Sequence, residues 1–338
     1  MNITILGSGA WGTALAIMLS KAHDVTLWSF DKNEAEHLNR HRENPMLKGV
    51  KLDENIKITN DINAAAGKDI VVIATPSFAV AQTAQKLAGI VAPETVMVNV
   101  AKGIDKDTGA RLSQVVAQQL PNNKIVVLTG PSHAEEVAIG CATTVVAASE
   151  SKAAAMLVQD AFMNKAFRVY LTPDIVGAEL AAALKNVYAL ATGICDGMGL
   201  GDNSKAGMMT RSLTEMARLG VALGANSETF AGLAGVGDLI VTCTSLHSRN
   251  KRAGMLIGQG DTPEQAIAKV GAVVEGYYAT QAGAKLAALT GIEMPILSEC
   301  EQILYHGKSA KDAMHALMTR TKKHEIEEVW MKNLGWDE

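Results

Sequence analysis

The sequence opens with Ile3-Thr4-Ile5-Leu6-Gly7-Ser8-Gly9-Ala10-Trp11-Gly12, an apolar run followed directly by the pattern G-x-G-x-x-G. A short strand that leads through such a turn into a helix is typical of dinucleotide binding. Gly7 permits the tight turn, Gly9 keeps a Cβ away from the pyrophosphate, and Gly12 lets the helix pack closely on the strand. Free N–H groups at the helix start then face the phosphates. The alternative is a tight strand–helix turn that binds no ligand, and the strand–turn–helix context favours the dinucleotide.

An acidic residue that binds the ribose hydroxyls is expected about 20 positions after this turn. Asp31 is the candidate, but Ser29 and Phe30 occupy the predicted strand end, so Asp31 stands just past the usual position. Asp31 equally suits the N-cap of the next helix. The sequence therefore leaves NAD or NADP open.

The arrangement of strands and helices predicts an α/β protein with two domains. In the first half, short apolar runs alternate with helical patterns, which predicts a parallel sheet covered by helices on both faces. After Pro173 the periodicity is almost entirely helical. We predict an N-terminal doubly wound domain over residues 1–184 and an all-helical domain over residues 185–338. The predicted strands are 3–6, 24–29, 56–59, 69–74, 95–100, 124–128, 143–147 and 167–171.

The composition argues against several classes of function. The 338 residues carry a net charge of −4, which gives no long-range attraction to nucleic acid or anionic membranes. The four cysteines are far apart, which predicts neither a disulfide framework nor a zinc site. No secretory signal is visible at Met1 and no stretch predicts membrane insertion. We therefore expect a cytoplasmic protein without a metal.

Lys185 is the only charged residue between Glu179 and Asp196. A lysine in such an apolar helix either extends its ammonium group to water or is placed for chemistry. Burial lowers the pKa of an ammonium group towards neutrality, which makes it a usable acid and base. Carbonyl reduction needs such an acid, because the oxygen gains a proton as hydride reaches the carbon. From these residues alone, both interpretations stay open.

Two further segments follow predicted strands at the sheet edge where ligands bind. Lys102 lies in Ala101-Lys102-Gly103, and Gly130-Pro131-Ser132-His133 precedes a helix. The second segment is equally compatible with an ordinary turn in which Ser132 caps the helix. His133 could transfer a proton, but Lys185 has the more unusual setting.

The densest basic run of the second half is Ser248-Arg249-Asn250-Lys251-Arg252, at the start of a helical pattern. Arginine, asparagine and free N–H groups at a helix start suit a phosphate monoester. The alternative is a solvated charged face. Upstream, Asp238 lies between glycines and an apolar run, where it could bind a substrate hydroxyl, orient Lys185 or cap a helix.

Taken together, these segments resemble the bacterial NAD(P)-dependent glycerol-3-phosphate dehydrogenase family over nearly the whole chain. Several ordered motifs are far more specific than one glycine turn. The resemblance is carried by Gly7-Ser8-Gly9-Ala10-Trp11-Gly12-Thr13-Ala14-Leu15-Ala16, Ala101-Lys102-Gly103, Gly130-Pro131-Ser132, Leu184-Lys185-Asn186-Val187, Gly235-Val236-Gly237-Asp238-Leu239, Ser248-Arg249-Asn250 and Val274-Glu275-Gly276.

The resemblance implies a Rossmann-type domain followed by a helical domain like the C-terminal domain of 6-phosphogluconate dehydrogenase. It implies NAD or NADP as cofactor, dihydroxyacetone phosphate and glycerol 3-phosphate as substrates, a homodimer, and a supply of glycerol 3-phosphate for phospholipid synthesis. Lys185 is the implied catalytic proton donor. The implied substrate contacts are Lys102, Gly130, Ser132, Asp238, Ser248, Arg249 and Asn250. The implied cofactor contacts are Gly7, Gly9, Ala10, Trp11, Gly12, Phe30, Lys102, Ala134, Arg249, Val273 and Glu275.

Two positions depart from the family pattern. Phe30 stands where histidine or arginine is often found, which weakens any inference about NADP, and Ala10 stands where some members carry serine. The alternatives are another two-domain hydroxy-acid or sugar-acid dehydrogenase and a non-catalytic dinucleotide sensor. A nucleotide-sugar dehydrogenase would need a catalytic cysteine, and neither Cys195 nor Cys243 has a nearby activating base in the sequence.

Overall fold

The computed structural model describes residues 1–105, 108–322 and 324. The chain divides into two compact units, Met1–Glu179 and Leu180–Glu338. The helix Ile175–Gly197 runs through this division and through the predicted domain boundary at Lys185. The predicted boundary itself stays a prediction, and residues 325–338 of the predicted second domain lie outside the described residues.

The described residues of the first unit form an eight-stranded sheet. Its order is β3-β2-β1-β4-β5-β6-β7-β8, and neighbouring strands are parallel except for β6 and β7. The predicted doubly wound sheet is therefore confirmed. The strands are β1 Asn2–Leu6, β2 Asp24–Trp28, β3 Lys57–Thr59, β4 Ile70–Ile73, β5 Val96–Asn99, β6 Ile125–Thr129, β7 Thr143–Ala148 and β8 Phe167–Thr172.

The antiparallel pairing of β6 and β7 departs from the predicted all-parallel sheet. A parallel neighbour needs a crossover of a dozen or more residues, usually built on a full helix. The link between β6 and β7, residues 130–142, is long enough for such a crossover, but its helix, Ala134–Ala138, has only five residues. Alternating strand and helix patterns do not reveal this reversal, because a short helix gives the same local signal as a crossover helix.

Helices cover both faces of the sheet in the first unit. Alternate residues of β4 enter two different cores: Ile70 and Val72 lie in one, and Val71 and Ile73 lie in the other. This double burial is the reason that the strand reads as continuously apolar. The helices are α1 Ala10–Leu19, α2 Lys32–His41, α3 Val80–Leu87, α4 Leu112–Gln119, α5 Ala134–Ala138 and α6 Lys152–Phe162.

The described secondary structure of the second unit is helical. A five-residue π-helical segment, Leu233–Gly237, leads directly into one of these helices. The helices, counted from the one that crosses the division, are α7 Ile175–Gly197, α8 Asp202–Ala222, α9 Ser227–Phe230, α10 Asp238–Thr244, α11 Arg249–Gly258, α12 Pro263–Val270, α13 Glu275–Thr290, α14 Pro295–His306 and α15 Ala310–Met318.

Helices α7 and α11 approach each other through paired glycines. A Cβ on Gly193 or Gly197 of α7 would lie 2.2 or 2.1 Å from a carbonyl oxygen of α11. A Cβ on Gly254 or Gly258 of α11 would lie 2.1 or 2.3 Å from a carbonyl oxygen of α7. The four glycines therefore allow backbone-to-backbone contact, which fixes α11 against the C-terminal part of α7.

Helix α7 is long and apolar enough to cross a membrane by length and composition alone, and 94% of its most apolar window is buried inside the protein. Core helices pass the same test, so its apolar sequence is explained by burial.

Candidate active site

The glycine turn is held against the end of β2. The N–H of Gly7 donates to the carbonyl oxygen of Trp28 at 2.9 Å. A Cβ on Gly12 would lie 1.9 Å from the carbonyl oxygen of Gly7, so only glycine fits there. A Cβ on Gly9 would meet no protein atom within 4 Å. Gly9 caps α1 without a side-chain hydrogen bond. The open space at Gly9 and the helix start fit a pyrophosphate.

The other predicted cofactor contacts of the first unit have different degrees of burial. Ala10 and Trp11 form the first turn of α1 and pack half-buried against the core, to which Ala134 also contributes. Phe30 is 71% exposed, and the ammonium group of Lys86 lies 4.7 Å from the centre of its ring. Asp31 is the N-cap of α2, which is one of the two roles left open by the sequence.

Lys102, Gly130 and Ser132 lie together at the ends of β5 and β6. The Nζ of Lys102 donates to the carbonyl oxygen of Gly130 at 3.1 Å, and the hydroxyl of Ser132 donates to the same oxygen at 2.9 Å. Gly130 has φ +133°, a conformation that other residues rarely adopt. His133, not Ser132, is the N-cap of α5. The structure thus brings three predicted substrate contacts into one cluster.

Lys185 is buried inside the second unit, with a relative exposure of 5%. Its Nζ donates to Oδ1 of Asp238 and to Oγ1 of Thr242, each at 2.6 Å. The Thr242 hydroxyl in turn donates to the carbonyl oxygen of Asp238 at 2.6 Å. The side chain is therefore buried rather than extended to water, and the catalytic role of Lys185 stays a prediction. A buried charge of this kind is costly unless it is paired, and Asp238 supplies that pairing.

The partners of Lys185 come from the helix that follows the π-helical segment. Asp238 is the first residue of α10 and is 1% exposed, and Thr242 follows one turn later. π-helical segments occur frequently at functional sites because they displace side chains from the regular helical positions. The segment Leu233–Gly237 sets the point at which α10 begins.

The basic run begins α11. Ser248 is its N-cap, and its hydroxyl accepts the N–H of Lys251 at 3.2 Å. Arg249 is exposed, whereas Asn250 is buried. The Asn250 amide donates to Oδ1 of Asn186 at 2.9 Å and accepts the N–H of Gly276 at 2.8 Å.

Asn250 therefore connects three helices. A Cβ on Gly276 would lie 2.5 Å from the carbonyl oxygen of Asn186, which explains a glycine at this crossing. Val273 and Glu275, predicted to contact the cofactor, flank the N-cap of α13 and are half-buried. The start of α13 is thus brought next to the start of α11, within the second unit.

Burial accounts for the properties of several groups outside this cluster. It raises the pKa of both the Cys195 and Cys243 thiols to about 11, so neither is a thiolate at neutral pH. This weighs against a cysteine-dependent nucleotide-sugar dehydrogenase.

Burial also raises the pKa of Glu215 to about 7, although its carboxylate accepts the N–H groups of Ile296 and Leu297 at the start of α14. The described residues contain no group of three or more His, Cys, Asp or Glu suited to a metal ion.

Both the N-terminal and the C-terminal part of the chain match a known protein family. Residues 2–155 match the NAD-dependent glycerol-3-phosphate dehydrogenase N-terminus, and residues 174–315 match the C-terminus of the same family. The chain belongs to the NAD-dependent glycerol-3-phosphate dehydrogenase family. The predicted resemblance is therefore confirmed.

Relatives in the family match almost the full chain. The "Glycerol-3-phosphate dehydrogenase [NAD(P)+]" of Thermoanaerobacter sp. (strain X514) is 49% identical, covering 96% of this chain and 99% of its own. The protein of the same name from Moorella thermoacetica is 50% identical, and the match covers 96% of this chain and 98% of that protein. The crystal structure of glycerol-3-phosphate dehydrogenase from Coxiella burnetii has a TM-score of 0.91 at 35% identity, covering 94% of this chain and 99% of that chain.

Two neighbours of the predicted residues are not singled out by sequence reasoning. Thr242 shares Lys185 with Asp238, and its signal is the i, i+4 spacing from Asp238 on one helix. Asn186 binds Asn250, and its signal is its position next to Lys185. Neither signal is specific without the knowledge that α7, α10 and α11 meet.

Proposed function

We propose that the chain catalyses the reversible, NADH- or NADPH-dependent reduction of dihydroxyacetone phosphate to sn-glycerol 3-phosphate. The observation that carries the proposal is the buried ammonium group of Lys185, paired with Asp238 and Thr242, in a member of this dehydrogenase family. A buried, positioned lysine is the acid that reduction of a ketone requires.

The residues that would hold the cofactor in the first unit are those of the glycine turn. Gly9 leaves the space for the pyrophosphate, and the N–H groups at the start of α1 would bind its oxygens. When bound, the nicotinamide supplies the hydride in one direction and accepts it in the other. The remaining proposed contacts are Gly7, Ala10, Trp11, Gly12, Phe30, Lys102, Ala134, Arg249, Val273 and Glu275.

In the proposed reduction, Lys185 donates a proton to the C2 oxygen of the ketone while C2 gains hydride. In the reverse direction, the neutral amine accepts the proton of the C2 hydroxyl. Asp238 and Thr242 hold Nζ from two sides, which limits the rotation of a side chain that is otherwise flexible. Asp238 also stabilises the ammonium form that the proton transfer requires.

The proposed phosphate site is the start of α11. Arg249 is exposed there, beside the first N–H groups of the helix, and arginine binds phosphate oxygens in pairs. Asn250 is fixed by Asn186 and Gly276, so it cannot swing freely with the ligand. Ser248, Lys102, Gly130 and Ser132 are the further proposed substrate contacts.

The wider role is also a proposal. A cytoplasmic homodimer that supplies glycerol 3-phosphate for phospholipid synthesis fits the family, and the net charge of −4 gives no reason to expect nucleic acid as a partner.

The test is a spectrophotometric assay of NADH and NADPH oxidation with three substrates. Dihydroxyacetone phosphate should be reduced rapidly, dihydroxyacetone far more slowly, and pyruvate not at all. The unphosphorylated ketone tests the phosphate site, and the keto acid tests the alternative hydroxy-acid dehydrogenase. Faster turnover of pyruvate than of dihydroxyacetone phosphate would refute the proposal.

A further inference from the structure

The end of β2 lies beside the glycine turn. Strands β1 and β2 are parallel neighbours, and the N–H of Gly7 donates to Trp28, the last residue of β2. Ser29 follows directly and is fully buried. In this fold, the ribose next to the pyrophosphate reaches the end of β2, where an acidic side chain selects between a 2′-hydroxyl and a 2′-phosphate.

The carboxylate at this place belongs to Glu34, the third residue of α2. Its Oε2 accepts the hydroxyl of Ser8, inside the glycine turn, at 2.6 Å. The same oxygen accepts the hydroxyl of Ser29 at the end of β2. Both serines are buried and Glu34 is half-buried, so the carboxylate is fixed between the turn and the strand end.

Asp31, the acidic residue at the expected spacing, is engaged elsewhere. Its Oδ1 accepts the N–H of Asn33 at 2.7 Å and that of Glu34 at 3.3 Å, which caps α2. The side chain is exposed and serves the helix. The two carboxylates at the start of α2 therefore have different tasks.

We propose that Glu34 is the residue that selects NADH over NADPH. Its carboxylate has a second oxygen with which to accept the ribose hydroxyls of NADH. A 2′-phosphate carries a charge of about −1.5 to −2 at neutral pH and would be placed against this fixed negative charge. Like charges in contact disfavour the wrong ligand strongly when neither can move away.

Lys86 is the feature that opposes this preference. Its ammonium group lies 4.7 Å from the centre of the Phe30 ring, near the same strand end, and a lysine can bind a phosphate. The Phe30 ring is 71% exposed, so water and salt screen a charge above it. Glu34 is more buried and is fixed by two serines, so its effect outweighs that of Lys86.

The experiment measures the dissociation constants of NADH and NADPH by titration calorimetry without substrate. The wild type should bind NADH about 10- to 100-fold more tightly than NADPH. Glu34→Gln keeps the shape and the hydrogen-bonding oxygen but removes the charge. It should reduce the preference at least about tenfold, mainly by tighter NADPH binding, while NADH binding stays within about threefold.

Three variants serve as controls. Asp31→Asn removes the neighbouring charge, Ser8→Ala removes one partner of Glu34 but keeps the carboxylate, and Lys86→Ala removes the opposing cation. Asp31→Asn should leave the ratio of the two dissociation constants unchanged. Ser8→Ala should lower the preference for NADH less than Glu34→Gln does, because Ser29 still holds the carboxylate, and Lys86→Ala should not lower it. If Glu34→Gln is not folded by its melting curve, Glu34→Ser replaces it with the same expectation. A wild type that binds both cofactors equally, or an unchanged ratio in the folded Glu34 variant, would overturn the proposal.

This inference rests on the proposed function only for the nature of the cofactor. If dihydroxyacetone phosphate were not reduced while the NADH preference still followed Glu34, the proposed reaction would fail and the selection by Glu34 would stand. If dihydroxyacetone phosphate were reduced but Glu34 had no effect on the ratio of NADH to NADPH binding, the proposed reaction would stand and the selection by Glu34 would fail.

Discussion

The glycine turn of the first unit and the Lys185 cluster of the second unit are built in different ways. The glycine turn of the first unit works through absent side chains: Gly9 leaves open space, and Gly12 lets α1 approach the carbonyl oxygen of Gly7. The Lys185 cluster of the second unit works through buried side chains that satisfy one another. A site made from backbone is damaged by adding atoms, whereas a site made from side chains is damaged by removing them.

Removal of the ammonium group should have the largest effect. Lys185→Ala is expected to lower kcat by ~10²–10⁴-fold, because general acid catalysis contributes about that much. The dissociation constant of NADH should change little. The measurements are steady-state turnover of dihydroxyacetone phosphate and calorimetric binding of NADH.

The matched control for Lys185 is Lys269→Ala. Lys269 is also paired with an aspartate, Asp261, at 2.7 Å, but its side chain is 57% exposed. Its loss should leave kcat unchanged. If Lys185→Ala and Lys269→Ala lowered kcat equally, or if Lys185→Ala left turnover unchanged, the burial of the Lys185–Asp238 pair would not identify Lys185 as the catalytic acid.

Added atoms should damage the glycine turn in two separable ways. Gly12→Ala places a Cβ 1.9 Å from a backbone oxygen, so the turn must shift, at a cost of about 1–3 kcal/mol of stability. Gly9→Ala meets no protein atom within 4 Å, so its melting temperature should be unchanged while NADH binding weakens about tenfold or more. Calorimetric binding and thermal melting of both variants check this. If Gly9→Ala binds NADH normally, the space at Gly9 is not the pyrophosphate site.

A smaller effect is expected at the start of α11. Arg249→Ala should raise the KM for dihydroxyacetone phosphate about tenfold, since a charge-assisted contact contributes about 1.5–3 kcal/mol. Arg252→Ala, another exposed arginine on the same helix, is the control and should leave KM unchanged. The ratio of kcat/KM for the phosphorylated and unphosphorylated ketones isolates the phosphate contact. An equal loss for both ketones would argue against it.

The smallest effect on activity is expected from Glu215, another buried titratable group in the helical unit. Its pKa is raised from 4.5 to about 7, so the folded state favours the protonated carboxyl. The stability that this group contributes should therefore be fully present below about pH 4.5 and be lost as the pH rises through about 7, by up to about 3 kcal/mol.

Glu215→Gln tests this linkage because it removes the titrating group. The change in unfolding free energy between pH 5 and 8 should be smaller in the variant than in the wild type, with kcat preserved at both pH values. Urea unfolding at each pH provides the measurement. An identical pH dependence in both proteins would mean that Glu215 is ionised throughout this range in the folded state.

Local patterns were sufficient to predict most of the fold. The glycine turn, the eight strands and the change to helices after Pro173 each depend on residues that are close in sequence. The reversed direction of β7 was not predictable, because the short helix α5 gives the same local signal as a full crossover helix. The start of helix α14 depends on Pro295 and also on Glu215, which lies far away in the chain.

The same division applies to the site. Lys185 stood out because a single charge interrupts an apolar helix. The sequence leaves its pairing with Asp238 as one of several options, because that pairing depends on the contact between α7 and α10. The assignment of Asp31 to the helix cap and of Glu34 to Ser8 and Ser29 could not be made from spacing, because both carboxylates are compatible with either task.

The glycine contacts between α7 and α11 also bear on how such an enzyme can change during evolution. At Gly193, Gly197, Gly254 and Gly258, even a methyl group would meet a carbonyl oxygen at 2.1 to 2.3 Å. Even alanine at one of these positions would therefore force the two helices apart, so their crossing cannot change in small steps at these four glycines. Substitutions that this pair of helices tolerates are therefore expected at positions other than these four glycines, where the crossing does not depend on a missing Cβ.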